Sequence, residues 1–417
     1  MKTNVTLPEA MKLVFTHTPV MEPETVPIGV SVGRVLFENL SAYDDFPVMS
    51  TAAVDGFAIK SEDVRPGEKV NIVDTTHTGE EPSVKTGGAV RISTGAFIPA
   101  WADCVVMKEY VKEENGKMVV NGEIKKGRNV NWKGQVFRKG DVVLHKGQVI
   151  DAGVLGMLCS LNLREVAVFR RPKVGIFATG GELSEPGEVG ARVPNSSAHT
   201  MVAVARACGA EVAYLGIIRD DRRELARTLE EALGRFDLVA SSGGVSVGEV
   251  DFMPQVAEDA GVEVLFWQVR QKPGKPVLFG VKGRAVYLGI PGYPTSAATM
   301  SEIYLKGLLR QMQGLDPFFA VEAVSASEYS RQPRERTELA RCRLFFEKGI
   351  LKFRMLEDQQ SSNPLSFAGA NSLVVLEPER KRVNVGERLK VVPKWNLQRE
   401  IQLDVSGADL KKAEDLF

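Results

Sequence analysis

The sequence predicts a multidomain α/β plus β chain: a central three-layer α/β domain with a mainly parallel sheet, flanked by an N-terminal mixed linker/β module and a C-terminal small β-barrel. Three observations carry this. At about 150 residues per domain, 417 residues hold several independent cores. From Pro172 onward, apolar runs of strand length alternate with helical periodicity in the order βαβαβ, the pattern of a parallel sheet covered on both faces. On either side the runs become short and are broken by Gly, Pro and Asn, as in small all-β units.

Each element follows from local chemistry. Thr6-Leu7-Pro8-Glu9 carries a cap, a first-turn proline and the acidic partner of a capping box, which predicts a short helix running to Phe15. Val70-Asn71-Ile72-Val73, Gly88 to Ile92, Cys104 to Met107 and Lys117 to Val120 predict a β module over 43–126. Segments 1–42 and 127–170, the second with an apolar helix-like stretch from Ala152 to Leu161, are expected to pack together as a discontinuous linker domain. Within 171–316 the expected strands are Val174 to Ala178, Glu211 to Ile218, Leu238 to Ser242, Val264 to Val269 and Ala285 to Ile290. The expected helices are Ser196 to Cys208, Arg222 to Arg235 and Thr295 to Met312. Leu344 to Phe346, Ser372 to Leu376 and Leu389 to Val392 predict a β-barrel over 317–403, and 404–417 reads as an exposed tail.

Composition excludes several classes. Hydrophobic residues make up 44% and charged residues 25%, the profile of a soluble globular chain. Lys plus Arg and Asp plus Glu are both 53, so nothing draws the chain generally toward nucleic acid or an anionic membrane, and any anion site is local. Cys104, Cys159, Cys208 and Cys342, like His17, His77, His145 and His199, are too scattered for zinc-ligand spacing, and a reduced cytoplasmic chain is expected. Neither a signal peptide nor a membrane span is expected.

In a parallel sheet, ligands bind at the carboxyl ends of the strands. The loops there are Thr179-Gly180-Gly181-Glu182-Leu183, Arg219-Asp220-Asp221, and the run from Ser242-Gly243-Gly244-Val245-Ser246 to Asp251. Glycines bring backbone N–H groups close to an anion and hydroxyls add donors, so a phosphate-bearing ligand fits. The carboxylates Glu182, Asp220, Asp221, Glu249 and Asp251 suggest magnesium, with helix capping an equal alternative for Asp220 and Asp221. Lys272-Pro273-Gly274-Lys275-Pro276 is a stiff turn with two cations, which points to an oxyanion pocket, and Ile290-Pro291-Gly292-Tyr293-Pro294-Thr295-Ser296 opens a helix with Ser296 as donor. The absence of GxxxxGK[ST] and GxGxxG argues against an ATP hydrolase or NAD dehydrogenase. Val54-Asp55-Gly56 and Ser93-Thr94-Gly95, taken alone, are turns.

Taken in order, these motifs resemble the molybdopterin molybdenumtransferase family, which includes the E domain of gephyrin. Ser361-Ser362-Asn363-Pro364-Leu365 and Ala370-Asn371-Ser372-Leu373 add to the likeness. The resemblance implies a homodimer of elongated four-domain subunits whose site lies between the α/β domain of one and the β modules of the other. It implies that adenylyl-molybdopterin binds the α/β domain and that molybdate, or tungstate, is inserted with Mg2+ present and AMP released. Lys272, Lys275 and Ser296 would hold the oxyanion, with Arg341 or Arg343 reaching it. Gly243, Gly244, Ser246 and Gly248 would cradle the pterin phosphate, with Thr94, Thr179, Gly180, Pro291 and Gly292 also binding; Glu182, Asp220 and Asp251 would serve magnesium or the adenylate, and Asp55 would complete the catalytic set. A molybdopterin adenylyltransferase is an implied partner. The family pattern has an acidic residue at Gly181, asparagine at Tyr293, serine at Ala52 and Gly-Glu-Asp at Gly134-Gln135-Val136, so a paralogue that binds molybdopterin as a scaffold is the alternative. An adenylyltransferase is a third reading, against which the flanking β modules argue.

Overall fold

A computed structural model describes residues 1–189, 192–246, 252–332 and 335–394. The chain divides into two compact units, one comprising Met1–Glu24, Gly33–Val35 and Val168–Phe417, the other Thr25–Val32 and Leu36–Ala167.

The first unit is built on a 7-stranded sheet in the order Lys2–Val5, Glu263–Val269, Leu278–Lys282, Ala285–Ile290, Leu238–Ser242, Lys173–Thr179, Glu211–Ile218. Lys173–Thr179 pairs in parallel with both Glu211–Ile218 and Leu238–Ser242, and the latter in parallel with Ala285–Ile290. Leu278–Lys282 is antiparallel to both its neighbours and was not expected from the sequence; only Gly283 and Arg284 separate it from the next strand. Lys2–Val5 joins the opposite edge in parallel with Glu263–Val269. The segment 1–42 is thereby divided: 1–24 and 33–35 belong with the α/β sheet and the remainder with the second unit.

Alternation along Lys173–Thr179 sends its side chains to two cores. Val174, Ile176 and Ala178 pack with Ala198, Met201 and Ala205 of helix Ser196–Ala207 and with Met300, Ile303 and Leu308 beyond the last strand, whereas Phe177 packs with Leu225 and Leu229 of helix Arg222–Leu233 and Val256 of helix Met253–Asp259. Helices therefore cover both faces, as a parallel sheet requires. The capping box of the first helix forms as expected, Glu9 N–H donating to Thr6 Oγ1 at 3.3 Å and Thr6 N–H to Glu9 Oε2 at 2.8 Å, and the helix runs Leu7–His17.

Strands Thr337–Glu347, Ile350–Met355, Val321–Ser325, Arg388–Pro393 and Ser372–Leu376 close into a barrel around Ala340, Cys342, Leu344, Phe353, Val374 and Val391. With alternate residues of Thr337–Glu347 inside, Leu339 joins the α/β core, Arg341 is fully buried and Arg343 is exposed. The short strand Gln271–Lys272 adds to the barrel in parallel with Thr337–Glu347.

The second unit contains a 6-stranded sheet, Cys104–Met107, Gly56–Ile59, Ala89–Ile92, Lys69–Thr76, Lys117–Val120, Val111–Glu114, which includes every strand expected over 43–126. Helix Ala152–Ser160 starts at Asp151, whose side chain accepts from Val154 N–H. Among the described residues no helix is long and apolar enough to cross a membrane.

Candidate functional site

A cavity of about 570 Å3 opens where the parallel strands end; Thr179, Gly180, Glu182, Asp220, Ser242, Gly243, Gly244, Ser246, Pro291 and Gly292 line it. The glycine loop after Leu238–Ser242 is fixed by close approach. Gly243 N–H donates to Ile290 O at 3.0 Å with φ +97°, and a Cβ there would sit 2.2 Å from Thr179 O, so only glycine fits. Its neighbour Gly244, at φ +64°, passes the chain toward helix Met253–Asp259, whose Met253 N–H donates to Gly244 O at 3.0 Å.

The two aspartates of the second loop separate in role. Asp221 caps helix Arg222–Leu233, its Oδ1 accepting from Glu224 N–H at 2.8 Å. Asp220 instead takes Thr179 Oγ1–H at 2.5 Å and Gly181 N–H at 2.7 Å, bridging the loops that follow adjacent strands. Glu182 lines the same cavity, exposed, with its Oε1 2.8 Å from where a Gly180 Cβ would stand. Among the described residues, no group of three or more His, Cys, Asp or Glu is placed to hold a metal. Gly248, Glu249 and Asp251 lie outside the described residues.

The two lysines of the turn stand in different surroundings. Lys272 Nζ is ion-paired with Glu338 at 3.2 Å, and Glu338, buried, also pairs with Arg331 at 3.2 Å. One carboxylate is thus shared by two cations, Lys272 and Arg331, and the three side chains together keep a net positive charge beside the turn. Lys272 lines a second cavity of about 740 Å3 with Glu357, Asp358, Gln359, Gln360, Ser361 and Ser362, and Ser362 lines the first cavity too. Lys275 is exposed, Ser296 is buried in the first turn of helix Pro294–Met300, and neither lines either cavity.

Of the two candidate arginines, Arg341 stands behind the second cavity. Its Nη2 donates to the Asp358 and Gln360 carbonyls at 3.3 and 3.2 Å, while Nε and Nη1 are buried without a protein partner. Burial pushes its pKa below the usual guanidinium value. The walls Asn195, Ser196 and Ser197 were not expected as site residues; an Asn-Ser-Ser run ahead of a helical periodicity is a capping signal, and Asn195 Oδ1 does accept from Ala198 N–H at 3.2 Å.

Asp55 and Thr94 meet in the second unit. Asp55 Oδ1 accepts from Thr94 N–H at 2.8 Å and Thr94 Oγ1–H at 2.7 Å, and Lys108 Nζ lies 3.3 Å from Oδ2. Those donors, the Thr94 backbone first, hold the Asp55 carboxyl down to about 2. Two motifs that read separately as turns are therefore one hydrogen-bonded unit. Gln135 Oε1 is occupied by Trp132 N–H at 2.8 Å, and Val136 is 68% exposed.

The fold and cavity define a class: an α/β small-molecule-binding protein with its pocket at the carboxyl ends of the strands. Comparison with known proteins narrows it. Residues 5–162 match the MoeA N-terminal region (domain I and II), 175–311 the probable molybdopterin binding domain, and 323–394 the MoeA C-terminal region (domain IV). A molybdopterin molybdenumtransferase of Bacillus subtilis is 31% identical over 94% of this chain and 94% of its own, and one of Haemophilus influenzae 30% over 93% and 98%. The crystal structure of the molybdopterin biosynthesis moeA protein of Pyrococcus horikoshii OT3 is 28% identical and superposes with a TM-score of 0.80, covering 94% of this chain and 100% of that one. The chain belongs to the MoeA, or molybdopterin molybdenumtransferase, family.

Proposed function

We propose that this protein is a transferase of molybdenum cofactor biosynthesis that inserts molybdate, or tungstate, into adenylyl-molybdopterin and releases AMP. The observation that carries the reading is the pair of adjoining cavities: one walled by glycines, hydroxyls and carboxylates, the next holding Lys272 with Arg341 behind it, and Ser362 common to both. The first suits a phosphate-bearing pterin nucleotide held by 171–316, the second a tetrahedral dianion. Molybdate and tungstate have the same charge and shape and would use the same donors.

Mg2+ fits the chemistry of the first cavity, because it takes one or two carboxylates, here Glu182 and Asp220, and fills its remaining positions with phosphate oxygens and water. When bound it would neutralise phosphate charge. Asp251 is the further candidate ligand. Asp55, Lys275, Ser296 and Thr94 stay in the proposal as residues of the family's motifs, with Asp55 and Thr94 joined by hydrogen bonds.

A homodimer is supported by exposed apolar side chains in neighbouring stretches of the second unit, among them Tyr43, Phe46, Val48, Trp132 and Val136. The substrate would come from a molybdopterin adenylyltransferase, and the free cysteines fit a reducing cytoplasm. A second reading, a scaffold that binds without turnover, is favoured by Gly181, which gives Asp220 a backbone N–H and contributes no carboxylate.

The test is AMP release from adenylyl-molybdopterin with molybdate, tungstate or neither, each with and without magnesium. Oxyanion-dependent release is expected. Tight binding with no release under any condition would replace the transferase by the scaffold.

A further inference from the structure

We propose that Tyr293 is a stacking platform for a flat nitrogen heterocycle of the substrate, and so a binding residue of the first cavity. The inference rests on the reading of that cavity as the adenylyl-molybdopterin site. Tyr293 lines the cavity, yet the residue is 64% exposed.

The backbone that carries it is held at both flanks. Gly292 O accepts from Ser197 Oγ–H at 2.8 Å, Tyr293 O accepts from Ala297 N–H at 2.8 Å as helix Pro294–Met300 begins, and Pro294 fixes the next φ. A Cβ on Gly292 would stand 3.6 Å from Gly243 Cα, so the residue before the tyrosine lies against the glycine loop. The phenol also forms no helix cap. A lone exposed aromatic ring needs no explanation on an ordinary surface. On the wall of a ligand cavity it offers a π-face with only two side-chain torsions to order on binding.

The substrate supplies suitable partners in its pterin and its adenine. Stacking on an aromatic side chain needs a planar face and no particular hydrogen-bond pattern, so Tyr293 contributes affinity and orientation and takes no part in bond making.

The test uses full-length protein. Tyr293→Ala and Tyr293→Phe are compared with the parent for calorimetric binding of AMP and of molybdopterin separately, and for KM and kcat of AMP release. Tyr293→Ala is expected to weaken one of the two ligands about tenfold and to raise KM by the same factor with kcat within about twofold, while Tyr293→Phe stays near the parent. The ligand that weakens names the ring. Equal binding of both ligands by parent and Tyr293→Ala would overturn the proposal alone. A parent protein that binds neither ligand would overturn it together with the site reading, and the two failures are told apart by the parent's own titration.

Discussion

Thr179 and Asp220 are joined by a 2.5 Å hydrogen bond from the threonine hydroxyl to Oδ1, and Gly181 N–H closes on Oδ2 at 2.7 Å. Thr179 ends one strand and Asp220 follows its parallel neighbour, so this pair ties together two loops of the cavity wall. Asp220→Ala would release both donors. Because Asp220 is exposed, the stability cost is expected to be about 1 kcal/mol, within the range of a typical lost hydrogen bond. The AMP-release rate is expected to fall by about a hundredfold or more, the scale of a removed charge-positioning group. Thermal unfolding and initial rates on the same preparation separate the two effects; unchanged rates would leave Asp220 a structural clip.

Gly243 should tolerate no side chain. Its positive φ and the 2.2 Å approach of a Cβ to Thr179 O mean that Gly243→Ala must push apart two loops of the cavity. A loss of about 1–3 kcal/mol in stability is expected from strain of this kind, with ligand binding abolished. Urea unfolding and calorimetry read the two.

Glu338 and Lys272 differ in what they hold. Glu338 faces both Lys272 and Arg331 in a buried position, so Glu338→Ala strands two cations and should cost about 3–5 kcal/mol. Lys272→Ala leaves Glu338 its Arg331 partner and is expected to cost much less while removing oxyanion-dependent turnover. A Tm for Lys272→Ala as low as that of Glu338→Ala would contradict this division.

Stability in acid should depend on Asp237. Its carboxylate takes both Arg170 Nη1–H and Nη2–H at 2.9 Å and Lys173 N–H at 2.7 Å, and these donors outweigh the burial that would raise its pKa, holding it below 3.8. A depressed native pKa stabilises the fold fully above 3.8, and that contribution is lost as pH falls through the lowered value. Asp237→Asn is therefore expected to lower the urea midpoint at pH 7 and to flatten its fall below pH 3.8.

The α/β core was legible because its signal is periodic: Val174 to Ala178 and Leu238 to Ala240 are apolar runs separated by helices whose caps can be read. Leu278–Lys282 was missed because a two-residue turn merges it with the next strand. Glycines and hydroxyls of the first cavity were legible for the same reason as the sheet, since strand ends are where ligands bind. The ion pair of the lysine turn was not legible because its carboxylate, Glu338, lies 66 positions away along the chain, a pairing no local pattern encodes. Choosing between Arg341 and Arg343 likewise required knowing what covers the barrel strand, and the bond between Asp55 and Thr94 required the sheet that brings 39 positions of separation together.

The most direct measurement is a crystal structure of the protein with adenylyl-molybdopterin and a slow-reacting oxyanion. Density for the pterin nucleotide between Thr179, Asp220, Gly243 and Gly292, with the oxyanion beside Lys272, is the expected result. Nucleotide density anywhere else on a protein that retains oxyanion-dependent AMP release would contradict the assignment of this cavity as the site.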